Sequence, residues 1–186
     1  MPDGMRKVML VEDTDDYAFI LSRALNHSRR FQIVWHARDG QDAISYLAGT
    51  GQFSDRQRFP FPDAVLLDIQ LPRKNGFEVL QWLREQEKKP KVVMLSVLHH
   101  LPTHEKAIKA GADEFKEKPY EDEQLKMFVR WLDEWIGHSQ SQSHSATIDA
   151  PPAQTRSQKP ASPDKPRPQG SSRGECVGDR NRRLRR

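Results

Sequence analysis

The chain has 186 residues, 35% of them apolar and 30% charged, with 13 prolines, 10 glycines and one cysteine, enough for one ordinary domain and a remainder. No run of 18 apolar residues occurs, and Met1-Pro2-Asp3-Gly4 lacks a basic region followed by an apolar one. Membrane-spanning and secreted readings are therefore excluded, and a soluble cytoplasmic chain with no membrane partner is expected. A lone Cys176 rules out a disulfide framework or a cysteine zinc site.

The formal charge of +4 is unevenly spread. Residues 1–137 carry 20 Lys+Arg against 22 Asp+Glu, while 138–186 carry 10 against 4. A slightly acidic domain over 1–137 is thus joined to a basic tail over 138–186. That tail is Ser/Gln-rich, then Pro-rich, and ends Arg182-Arg183-Leu184-Arg185-Arg186. It lacks apolar periodicity, so it is expected to be disordered. Its plain reading is a solvated extension, its alternative a weak contact with an acidic surface or nucleic acid. No helix-turn-helix or other output module fits into it, so nucleic acid is not an expected partner.

In chain order, residues 1–137 alternate strand-length apolar runs with segments of helical period. Strands are predicted at Met5 to Val11, Phe31 to Ala37, Ala64 to Leu67, Lys91 to Leu95 and Glu114 to Lys116. Val8-Met9-Leu10-Val11, Ala64-Val65-Leu66-Leu67 and Val92-Val93-Met94-Leu95 are unbroken apolar runs, as parallel strands covered on both faces require. Helices are predicted near 15–27, 41–48, 76–87, 103–110 and 121–136, with Asn75-Gly76 as a turn and Gly111 as a C-cap. The long connection from Gly49 to Pro62 is rich in Gly, Pro and charge, and a surface loop is expected there. Five βα units give an α/β fold with an open, doubly wound five-stranded parallel sheet.

Ligands of such sheets bind beyond the carboxyl ends of the strands. Strand 1 is followed by Glu12 and Asp13, strand 3 by Asp68, strand 4 by Ser96 and strand 5 by Lys118-Pro119. Three carboxylates in one pocket need a cation, and hard divalent cations prefer oxygen ligands. Mg²⁺ is the natural choice, since its charge and that of Lys118 balance the three carboxylates. A phosphoryl group on one carboxylate adds about one further negative charge, which Mg²⁺, Lys118 and the Ser96 hydroxyl are suited to hold. The pattern suits phosphoryl transfer to Asp68.

The order Val11-Glu12-Asp13, Leu66-Leu67-Asp68-Ile69-Gln70-Leu71-Pro72 with Gly76, Met94-Leu95-Ser96, Ala110-Gly111-Ala112-Asp113 and Lys118-Pro119 resembles the receiver domain of two-component response regulators. The resemblance covers about residues 5 to 137. It implies a flavodoxin-like strand order 2-1-3-4-5, with Asp68 as phosphoacceptor and Mg²⁺ held by Glu12, Asp13, Asp68 and the backbone carbonyl of Gln70. It also implies that Ser96 and Lys118 contact the phosphoryl group and that Ser96 and Phe115 form the switch. The Gly49 to Pro62 loop and Leu71-Pro72-Arg73-Lys74-Asn75-Gly76 are similar to stand-alone regulators that include partners of bacterial phytochromes. The implied activity is that of a single-domain regulator. It accepts a phosphoryl group from a histidine kinase, phytochrome-like in that subgroup, and signals by a phosphorylation-dependent surface change. Such a chain is no enzyme in the usual sense: it assists its own phosphotransfer and slow dephosphorylation. The alternative is a receiver-fold adaptor that binds proteins without phosphorylation.

Singly, each residue has a plainer reading. Asp13, Thr14 and Asp15 suit a helix N-terminus, Lys118-Pro119 a solvated helix start, Ser96 a loop, and Phe115 core packing. Five residue types in the right order at strand ends weigh against coincidence. His99, His100 and His104, beside Pro102, are read as surface loop residues. Val97 departs from the family's small residue after Ser96, and its bulk is expected to narrow access. Gln70 and Leu98 lie where the family controls water's approach. On the last helix, Leu125, Phe128, Val129, Leu132 and Ile136 make a core stripe. Trp131 lies about 110° away from it, so Trp131 and Trp135 are expected either to cover a neighbouring helix or to anchor a homodimer or kinase contact.

Overall fold

A computed structural model describes residues 4–97 and 101–140, and the side chains of all of these but 138–140. His99, His100 and Leu98, and the tail beyond Gln140, lie outside the described residues.

Five strands, β1 (Arg6–Val11), β2 (Phe31–Ala37), β3 (Ala64–Asp68), β4 (Lys91–Ser96) and β5 (Glu114–Glu117), alternate with five helices. These are α1 (Asp15–His27), α2 (Gly40–Ala48), α3 (Gly76–Arg84), α4 (Leu101–Ala110) and α5 (Asp122–Gln140). All strand pairs are parallel, in the order β2-β1-β3-β4-β5, the expected flavodoxin-like arrangement.

The unbroken apolar runs divide by the two-residue period of a strand. Met9, Val11, Val65, Leu67, Val92 and Met94 face the α2, α3 and α4 side. Val8, Leu10, Ala64, Leu66, Val93 and Leu95 face α1 and α5. The stripe Leu125, Phe128, Val129, Leu132 and Ile136 is buried as its helical spacing predicts.

Gly111 behaves as expected: at φ +108 its N–H bonds the Ile108 carbonyl at 3.0 Å while Ala112 N–H returns to Ala107 O at 3.0 Å, closing α4 with a left-handed cap.

Several local expectations are corrected. Asn75-Gly76 is a helix start, not a free turn. Asn75 caps α3, its side chain accepting from Glu78 N–H while the Glu78 carboxylate accepts from Asn75 N–H, a reciprocal capping box. Gly76 is required there because a Cβ would stand 2.3 Å from the Asp68 carbonyl oxygen. α3 ends at Arg84, short of 87, and α5 continues past 136 to Gln140. α4 begins at Leu101, with Pro102 in its first turn, where a missing N–H costs no helical bond. His104 therefore sits on a helix, half-buried, its ring 5.4 Å from that of Phe115.

The Gly49 to Pro62 connection is more than a surface loop. It contains a 3₁₀ turn, Gly51–Phe53, and buries Phe53 at 2% exposure. Trp35, Tyr46, Phe53 and Phe59 form an edge-to-face and stacked cluster with centroids 4.9 to 6.3 Å apart. Arg56 pins the connection by donating to the carbonyls of Tyr46 at 2.8 Å and Leu47 at 2.7 Å, the free end of α2.

Candidate functional site

Sheet order reverses between β1 and β3, and this crevice assembles the site. Glu12 and Asp13 follow β1, Asp68 is the last residue of the neighbouring β3, and Ser96 is the last residue of β4. Lys118 is brought in from β5, its N–H donating to the Ser96 carbonyl at 2.7 Å.

The Lys118 ammonium lies 2.7 Å from Glu12 Oε2 and 3.1 Å from Asp68 Oδ2. Glu12, Asp68 and Lys118 are all buried, at 0%, 6% and 6% exposure, so the solvated reading of Lys118 is set aside. Glu12 Oε2 is thus partnered by the Lys118 ammonium through a charge-assisted contact. Its companion Oε1 accepts from Thr14 N–H at 3.2 Å, and Asp68 Oδ1 accepts from Ile69 N–H at 2.7 Å.

Burial pushes the Glu12 carboxyl above its ordinary range; Lys118 pulls it back and the Asp68 charge adds to the rise. Burial likewise raises Asp68, with Lys118 and the Ile69 N–H only partly offsetting it. For Lys118, burial acts downward, but Glu12 and Asp68 outweigh it and the group is raised. Lys118 is thus held as an ammonium while the two carboxyls are held under electrostatic tension.

Glu12, Asp13 and Asp68 each offer a carboxylate oxygen, and these atoms lie within 4.8 Å of one another. This all-oxygen donor set, three carboxylates against the one Lys118 ammonium, fits a hard divalent cation. Asp13 is exposed and is not a helix cap; Thr14 takes the N-cap conformation of α1 without a side-chain cap bond.

An open cleft of about 850 Å³ collects Asp13, Tyr17, Asp68, Ser96, Lys118 and Tyr120 on its wall. Val97 also lines it but is 55% exposed, so its bulk stands at the rim and does not fill the centre. Gln70 is exposed on the loop after β3. That loop is closed by Gly76 N–H to Ile69 O at 3.0 Å. At its tip Arg73, at φ +62, pairs with Asp39, the buried N-cap of α2. A Cβ on the adjacent Gly40 would meet the Lys74 carbonyl at 2.1 Å, so loop and helix start are in close contact.

Phe115 is already inside, at 2% exposure, against His104. Trp131 and Trp135 are half-buried and stacked with centroids 5.4 Å apart. Lys116 Nζ lies 4.5 Å from the Trp131 ring centre and Lys91 Nζ 4.2 Å from that of Trp135. Both indoles extend the α1/α5 core cluster, which favours the covering reading over free anchors.

Sequence reasoning missed Tyr17, Tyr120 and the Asp39–Arg73 pair. Tyr17 occurs four residues before Leu21 and eight before Leu25, so its spacing reads simply as helix core. A pair 34 residues apart in sequence leaves no periodic trace.

The model of the family described as "Response regulator receiver domain" matches residues 8–130. The chain is 31% identical over 128 residues to the transcriptional regulatory protein CiaR of Streptococcus pneumoniae, covering 69% of this chain and 51% of that protein. It is 29% identical over 126 residues to the transcriptional regulatory protein CpxR of Escherichia coli, covering 68% of this chain and 48% of that protein. The chain thus spans about half the length of these curated relatives. Among solved structures, the phosphorylated cyanobacterial phytochrome response regulator RcpA is similar with TM-score 0.64 at 28% identity, over 73% of this chain and 96% of that one. The bacteriophytochrome response regulator AtBRR is similar with TM-score 0.57 at 30% identity, over 72% of this chain and 95% of that one.

Proposed function

Since the chain belongs to the response regulator receiver domain family, we propose that it accepts a phosphoryl group on Asp68 from a histidine kinase and signals by a phosphorylation-dependent surface change. The observation that carries this reading is the Lys118 ammonium held between Glu12 and Asp68 with Asp13 beside them. The likeness to phytochrome response regulators supports a phytochrome-like kinase as the donor. The receiver domain is proposed over residues 1–137 and the tail over 138–186, with α5 running three residues past that boundary. The protein works in the cytoplasm; among the described residues no helix is long and apolar enough to cross a membrane.

Glu12, Asp13 and Asp68, with the Gln70 carbonyl, would hold Mg²⁺, which when bound supplies positive charge opposite the phosphoryl oxygens. Asp68 acts as nucleophile: one carboxylate oxygen forms the bond to phosphorus as the bond from phosphorus to the kinase histidine nitrogen breaks. Burial makes Asp68 a poorly solvated carboxylate, and Lys118 keeps it ionised and aligned. Lys118 then balances the added negative charge, and Ser96 donates its hydroxyl to a phosphoryl oxygen. Ser96 and Phe115 form the switch in this reading: Phe115 is packed inside against His104, and the surface change runs from Ser96 to that aromatic. A homodimer contact, if formed, uses the Trp131 and Trp135 face of α5, which the exposed Met127 adjoins.

Mg²⁺-dependent incorporation of phosphate from labelled acetyl phosphate tests the reading. Wild type is expected to incorporate it and Asp68→Asn to incorporate none, because a nearly isosteric amide forms no acyl phosphate. Undiminished labelling of Asp68→Asn overturns the assignment, and an unlabelled wild type favours the phosphorylation-independent adaptor.

A further inference from the structure

One aromatic side chain in the cleft is left without a role by this chemistry. Tyr17 is buried at 3% exposure on the first turn of α1, and Lys118 Nζ lies 4.8 Å from its ring centre. That is inside the range in which a ring face attracts a cation, and the attraction is strongest where water is excluded. Lys118 is itself buried, so the ring replaces solvent on one side of the ammonium while two carboxylates occupy another. Tyr120, half exposed, packs on Tyr17 with centroids 5.1 Å apart at 51°. The two rings join the start of α1 to the β5–α5 connection beside the site.

The Tyr17 hydroxyl is buried and has no hydrogen-bond partner among the described residues. Burial first, then the negative charges of Glu12 and Asp68 and the neighbouring Tyr120, hold the phenol well above its ordinary value. It therefore remains neutral, and what it presents to Lys118 is a ring face. Lys118 has to shift contacts when Asp68 gains a phosphoryl group. A ring face lets an ammonium slide with little change in energy, whereas a further carboxylate in its place would hold it at a fixed point.

Building on the proposed function, we infer that Tyr17 is a positioning residue for Lys118: its ring face, backed by Tyr120, seats the ammonium against Glu12 and Asp68 and keeps it within reach of the phosphoryl oxygens. Tyr17 makes no contact with the reacting atoms in this account and acts only through Lys118.

The test uses the full chain with position 17 occupied by tyrosine, phenylalanine or pentafluorophenylalanine, the last nearly isosteric with phenylalanine but with its ring quadrupole reversed. The rate of labelling by acetyl phosphate is followed against acetyl phosphate and Mg²⁺ concentrations. Tyr17→Phe removes no hydrogen bond and is expected to keep most of the rate. The fluorinated ring is expected to lower the limiting rate roughly tenfold while leaving half-saturating Mg²⁺ unchanged. Equal rates for the two phenylalanine rings overturn the inference. The hydrogen-exchange rate of the Lys118 ammonium, read from its ¹⁵Nζ signal, needs no phosphotransfer. It is expected to rise roughly tenfold with the fluorinated ring, and an unchanged rate overturns the seat. A wild type that takes no label overturns the proposed function instead, and the ammonium signal then decides on Tyr17 by itself.

Discussion

Lys118 is the residue on which the site's electrostatics turn, because it is the single cation the described site sets against Glu12, Asp13 and Asp68. Two of those carboxyls are buried and raised above their ordinary values. A raised folded-state value means that the folded chain binds protons more readily than the unfolded one. The stability such groups contribute is present below the ordinary value of 3.8 for Asp68 and is lost as pH rises through the raised value. At neutral pH, without divalent metal, the ionised pair is therefore a burden on the fold. Asp68→Asn removes one of the charges and relieves Glu12, whose own rise it adds to, while Lys118 keeps Glu12 as partner. The variant is expected to be more stable than wild type at pH 7, by about 1 kcal/mol or a few degrees of Tm. The difference should shrink as pH falls toward the ordinary carboxylate range. Thermal denaturation from pH 4 to 7 in chelator checks this, and a less stable variant at pH 7 contradicts the tension read from the geometry.

At the scale of elements, what was legible in the sequence is what repeats. The apolar runs of β1, β3 and β4 and the stripe of α5 identify themselves because burial on both sheet faces, or on one helix face, forces a period on the residues. The residues at the strand ends then bring Glu12, Asp68, Ser96 and Lys118 to one edge of the sheet. Contacts without a period were not legible. The cluster of Trp35, Tyr46, Phe53 and Phe59 draws on a strand, a helix and a connection, so a stretch that reads as polar loop carries buried rings. Asp39 and Arg73 meet only once the sheet has formed. Angular position on α5 leaves Trp131 open to a covering or an anchoring role, and its contacts with Phe128, Trp135 and Lys116 favour the first. A half-buried, stacked indole contributes to the fold, so Trp131→Ala is expected to cost about 2 kcal/mol. Denaturant titration reads this directly. Wild-type stability together with lost self-association would return Trp131 to the role of an interface anchor.

At the scale of the whole domain, the sheet separates two cores, and the site lies at the carboxyl ends of its strands. α1 and α5 close one face, and α2, α3 and α4 close the other. Asp133 on α5 ties the first strand and the turn before β2 together, pairing with Arg6 at 3.1 Å and Arg30 at 3.0 Å. The site itself is left with carboxylates in excess over cations. A ligand that neutralises them in the folded state alone must stabilise the entire fold, by RT ln(1 + [L]/Kd). At tenfold excess over its dissociation constant, Mg²⁺ is expected to add about 1.4 kcal/mol, or roughly 3 to 6 °C of Tm for a domain of this size. Asp13→Asn removes a ligand charge from the exposed side of the site, so its Tm is expected to climb only at higher Mg²⁺. Asp68→Asn, already relieved of one charge, should gain less than wild type at every concentration. Na⁺ at matched ionic strength controls for screening, which acts weakly on buried charges. A wild-type Tm that Mg²⁺ raises no more than Na⁺ does, or an Asp13→Asn curve that overlays wild type, removes Glu12, Asp13 and Asp68 as a cation site.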